Sequence, residues 1–118
     1  MNAILRPVLP RAAYEGSVMH ITFSDEAPVF DGANLAVRFA AQVDGETVDC
    51  AISAEALEDH FGARSPLEED LLRAFRRGRA RIRSVCAEAL DQNRGAAVLL
   101  HSGLFRVEGM EQERGAKR

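Results

Sequence analysis

The sequence predicts an α+β domain: a mainly antiparallel sheet of about five strands with two helices packed on one face. Three features carry that prediction. Residues 37–52 alternate apolar and polar around Asp44-Gly45, a two-residue connector suited to a type I′ hairpin. Residues 65–95 repeat apolar side chains at three- and four-residue steps behind a helix start signal. Shorter apolar runs at 18–23 and 98–107 supply the remaining strands.

In chain order, residues 1–17 hold Ile4, Leu5, Val8 and Leu9, but Pro7 and Pro10 deny them a helix or a central strand. They read as a flexible tail. Val18 to Phe23 is the first strand, with Met19, Ile21 and Phe23 alternating against His20 and Thr22. Residues 24–34, SDEAPVFDGAN, read as a loop that Val29 and Phe30 pin to the core. In the hairpin, residues whose numbers sum to 89 face one another. Phe39 opposes Cys50 and Val37 opposes Ile52 on the apolar face, while Arg38 opposes Ala51 on the polar one. A slip of one residue would exchange the faces, so pattern and turn specify the same register.

Ser53 is placed to cap a helix from Ala54 to about Phe61, and Gly62 to end it in the left-handed conformation. Ser65, Pro66 and Glu68 then form a capping box, with Glu68, Glu69 and Asp70 at the positive end of the helix dipole. Leu71, Phe75, Gly78, Ile82, Val85, Cys86 and Ala89 line one stripe of a single helix, which Asn93 and Gly95 end. A second hairpin is expected next, pairing Val98–Leu100 with Leu104–Val107 through His101, Ser102 and Gly103. Residues 109–118 are polar and read as a second flexible tail, leaving one domain at 18–108.

Composition narrows the function classes. The formal charge is −3, which rules out a uniformly basic nucleic-acid binder but leaves room for a local basic face. No apolar run approaches the roughly 20 residues of a membrane span, and the first residues lack the uninterrupted apolar centre of a signal peptide. A cytoplasmic protein without a membrane partner is expected.

The segments HITFSDEAPVF and VRFAAQVDGETVDCAISAEALEDHFGA, followed by the helix that SPLE initiates, resemble the bacterial family catalogued as domain of unknown function 1488. Its V-x-F-x-A-x-V-D-G hairpin is matched by Val37 to Gly45, and its C-A-I-S-x-E-A-L segment by Cys50 to Leu57. The resemblance spans roughly residues 18–108 and leaves the first residues outside it. It implies a compact α+β domain of uncharacterised function and supplies no catalytic or binding residues.

Nor do the residues themselves converge on a reaction. His20, His60 and His101 are about forty residues apart, without the close pairing of a zinc site. Asp25, Glu26 and Asp31 lack calcium-loop spacing, and there is no nucleophile elbow, phosphate loop or dinucleotide fingerprint. Cys50 and Cys86 each fall on an apolar face and read as buried free thiols. No cofactor, metal ligand or catalytic residue is assigned.

One cluster stands out. Arg73, Arg76, Arg77, Arg79, Arg81 and Arg83 place six cations in eleven residues with no acid among them. Fourteen arginines against one lysine, Lys117, discount the signal, because the whole chain prefers arginine. The six are either a solvated helix face or a face for phosphates or an acidic partner. The sequence therefore reads as a non-enzymatic accessory or interaction protein. The alternative is a nucleic-acid-associated protein that uses the arginine face, with an acidic protein or nucleic acid as partner.

Overall fold

A computed structural model describes residues 19–105. The tails expected at 1–17 and 109–118, and the outer end of the expected second hairpin, lie outside the described residues. The elements in order are β1 (Ile21–Phe23), β2 (Val29–Asp31), β3 (Ala36–Val43), β4 (Glu46–Ser53), α1 (Ala54–His60), α2 (Glu68–Arg77), α3 (Arg79–Gln92) and β5 (Leu99–Leu100). A fourth helical segment occupies 102–105.

The β3–β4 hairpin organises the sheet, in the register that the sequence specifies: Phe39 faces Cys50, Val37 faces Ile52 and Arg38 faces Ala51. Asp44 and Gly45 both have positive φ, 51° and 89°, as a type I′ turn requires. Asp44 also ties the turn to the first strand. Its Oδ1 accepts the His20 N–H at 3.0 Å, and its own N–H donates to the His20 carbonyl at 2.9 Å. β1 and β2 pair antiparallel with successive stretches of β3, and β5 pairs parallel with β4 on the far side.

The sheet is thus mixed, and two expectations are corrected. Val29 and Phe30 belong to strand β2 rather than to a loop. The second hairpin does not form: Val98–Leu100 yields only β5, and Leu104 and Phe105 are helical. Phe105 explains the choice, because as part of a helix it is fully buried against Phe61, with ring centroids 5.2 Å apart and nearly perpendicular. A short apolar run does not distinguish strand from helix by its own period.

Helices also differ in detail from expectation. Ser53 caps α1, its Oγ accepting the Ala56 N–H at 3.0 Å, and Gly62 has φ 76° just beyond the helix. The long helix expected from Ser65 begins instead at Glu68 and is interrupted at Gly78. Its initial box is replaced by a tighter turn in which Ser65 Oγ accepts the Leu67 N–H at 3.1 Å. The core joins the apolar face of the hairpin (Val37, Ala41, Cys50, Ile52) to Leu57, Leu71, Phe75, Ile82, Cys86 and Leu90. Phe39 is only half-buried but packs its ring 5.2 Å from that of Phe75.

Candidate anion-binding pocket

The turn after α1 and one face of α2, from Asp70 to its last residue Arg77, build the site. Gly62, with its left-handed backbone, reverses the chain and brings Arg64 alongside α2. Asp70, Arg73 and Arg77 recur at three- and four-residue steps and so share one face of that helix. Together with Gly62 and Arg64 they line a solvent-open pocket of about 410 Å³.

Its walls are partly fixed. Ser65 Oγ donates to Asp70 Oδ2 at 2.6 Å, and Asp70 Oδ1 accepts from Arg73 Nη1 at 3.2 Å. Arg77 Nη2 donates to the Phe61 carbonyl at 3.3 Å, where α1 ends and a cation is favoured by the helix dipole. Three guanidiniums and one carboxylate therefore line the pocket, and both oxygens of that carboxylate are already hydrogen-bonded. Arg64 and Arg77 have no carboxylate within 4.0 Å among the described residues.

The six arginines expected on one face divide, because the helix is interrupted at Gly78. Arg73 and Arg77 reach the pocket, and exposed Arg76 lines a neighbouring groove with Leu67, Glu68, Glu69 and Leu72. Two of the three α3 arginines serve the fold. Arg81 lays its guanidinium over Phe61 and Phe105, 5.3 and 5.7 Å from the ring centroids. Arg83 donates from Nη2 to the Ser24 carbonyl at 2.9 Å and lies 5.4 Å over Phe23. Arg79 is half-buried, with an Nε that has no partner. Arg64, in the loop, was absent from the sequence-derived cluster. Loop residues carry no periodicity, and only the chain reversal that Gly62 imposes hints at its position.

Elsewhere, Asp59, His60 and Ser102 meet, uniting the residue types of a hydrolytic triad. Their roles are different. Ser102 Oγ donates its proton to Asp59 Oδ2 at 2.6 Å, while His60 Nε2 lies 3.1 Å from both Oγ and the Ser102 carbonyl. With the hydroxyl proton given to the carboxylate, the imidazole acts as donor rather than base, opposite to the arrangement that activates a serine. Ser102 is also 4% exposed. The trio fastens the last helical segment to α1.

Cys50 and Cys86 are free, buried and adjacent across the sheet–helix interface. Interaction with the neighbouring Cys50 sulfur, together with burial, holds the Cys86 thiol far above the ordinary range. A Cys50 thiolate would accept a hydrogen bond from Cys86, which pulls Cys50 the other way. On the outer sheet face, Asn34 hydrogen-bonds Asp31 and holds its carboxyl below the usual carboxylate range, with Arg38 adding a smaller attraction. Asp31 thus serves a turn, and no group of three or more His, Cys, Asp or Glu suited to a metal ion occurs among the described residues.

Residues 21–100 match the family model described as protein of unknown function, DUF1488. The chain belongs to that family. A DUF1488 protein of unknown function from Shewanella loihica PV-4, solved at 1.60 Å, superposes with a TM-score of 0.59. The two share 24% identity over 69% of this chain and 92% of that one, a likeness of fold. No curated protein matches the sequence. No helix among the described residues is long and apolar enough to cross a membrane.

Proposed function

We propose that this DUF1488 domain is a non-enzymatic interaction domain that binds an anionic partner between the α1–α2 turn and the Asp70–Arg73–Arg77 face of α2. The observation that carries the reading is a pocket that Arg64, Arg73 and Arg77 line with a single carboxylate, Asp70, both of whose oxygens already accept hydrogen bonds. Unneutralised guanidiniums converging on one concavity cost Coulomb repulsion that an anion relieves. A solvated helix face has no need to gather a loop arginine as well. The non-enzymatic part of the reading is supported by the Asp59–His60–Ser102 trio, whose hydroxyl proton is already spent.

The test uses two polyanions, a short mixed-sequence oligonucleotide and a polyglutamate, at about 50 mM salt, where electrostatic association is little screened. The wild-type protein is expected to bind at least one of them, with affinity falling as salt rises. Arg64→Glu with Arg73→Glu should weaken that binding by about tenfold or more, the scale of losing one or more charge-assisted hydrogen bonds. Arg38→Glu, on the outer sheet face, should not. Binding of neither polymer, or equal loss in the Arg38 variant, contradicts the proposal.

A further inference from the structure

We infer that the Arg64–Arg73–Arg77 pocket is a site for a phosphomonoester dianion, supplied as inorganic phosphate or as a small phosphate ester. This rests on the anion-binding reading above and specifies the ligand.

Charge selects the class. Three guanidiniums against Asp70 leave a net charge of two positive in the pocket. A phosphomonoester carries about −1.5 to −2 at neutral pH and presents three acceptor oxygens. A phosphodiester or a lone carboxylate brings a single negative charge and leaves one arginine uncompensated. Geometry agrees with charge, since each planar guanidinium offers a donor fork matched to phosphate oxygens.

Preorganisation supports the same ligand. Arg77 is held by the Phe61 carbonyl, and Arg73 by an Asp70 that Ser65 itself fixes. Binding therefore has to order chiefly Arg64, which lowers the entropy cost. The volume of about 410 Å³ leaves room for a substituent behind the phosphate. The lining has no aromatic ring, so a nucleobase finds no stacking platform and the phosphate itself must carry recognition.

Titration calorimetry of the full chain tests this with glycerol 3-phosphate, inorganic phosphate and dimethyl phosphate as probes, at constant ionic strength. The expected result is saturable binding of either or both dianions, with dimethyl phosphate weaker by about tenfold or more, since it forfeits charge-assisted bonds. Preference for glycerol 3-phosphate over inorganic phosphate would assign the substituent's share of the pocket; equal binding would assign the free anion. Arg64→Gln and Arg73→Gln should each weaken the dianion by about tenfold, while Arg38→Gln leaves it unchanged. Circular dichroism confirms that each variant is folded, and Arg64→Gln, which removes no intramolecular bond seen among the described residues, remains informative if Arg73→Gln unfolds. Equal affinity for diester and monoester, no saturable binding, or indifference to both arginine changes overturns the inference. If wild-type protein still binds a polyanion through these arginines but takes no small dianion, this inference fails while the broader reading stands. Loss of both sinks both.

Discussion

A β-carbon on Gly78 would stand 2.3 Å from Cδ1 and 2.7 Å from Cε1 of Phe61. Its φ of −99° is open to any residue, so contact rather than backbone demands glycine here. The Phe61 ring has little room to retreat, wedged between the Phe105 edge and the Arg81 guanidinium. Gly78→Ala should therefore lose stability by roughly 1 kcal/mol, as overpacking of about 1–3 kcal/mol outweighs the gain of about 0.4–1 kcal/mol from a less flexible unfolded chain. Urea denaturation measures it, and a more stable variant would show that the contact is not tight. Phe75→Ala, at a position 3% exposed, should cost about 3–5 kcal/mol. Phe39→Ala should cost less than Phe75→Ala, because Phe39 keeps one side in solvent. The sequence placed each ring on the apolar face of its own element, strand or helix, but did not rank them, since a periodic pattern records which face a residue is on and not how completely that face is covered.

Among the elements, the β3–β4 hairpin was legible down to its register because two independent signals agreed, Asp44-Gly45 and the apolar alternation. α1 was equally legible through Ser53 and Gly62, whose roles are local. Ser53→Ala should cost about 1 kcal/mol, read as a shifted denaturation midpoint, and no shift would mean that the cap bond is not made in solution. What stayed hidden depends on distant partners. β5 contributes two residues and takes its parallel pairing from β4, far back in the chain. The interruption at Gly78 needs Phe61 to explain it. The same reason hid the pocket: Arg73 and Arg77 were in view, but Arg64 joins them only once the α1–α2 turn closes.

At the scale of the whole molecule, one core joins the sheet to the helices, and Cys50 and Cys86 report on its integrity. Both thiols should be alkylated only as fast as the domain opens; fast labelling of native protein would contradict the buried pair. Cys86 also sets an alkaline limit, which the opposite shift at Cys50 lessens. The Cys86 pKa is raised on folding, so its contribution to stability is fully present below the unfolded thiol value of about 8.5 and declines as pH rises beyond it. Denaturant midpoints should accordingly fall above that pH, and a Cys86→Ala variant should show a shallower decline, provided it remains folded.

On the proposed reading, anions engage this molecule at one place. Backbone amide shifts recorded by two-dimensional NMR during titration with inorganic phosphate test it most directly. Saturable shifts are expected only at Gly62, Ala63, Arg64 and the stretch from Asp70 to Arg77. Shifts spread evenly over the basic residues, or concentrated near Arg38, Asp49 and Ala51 on the outer sheet face, would contradict it.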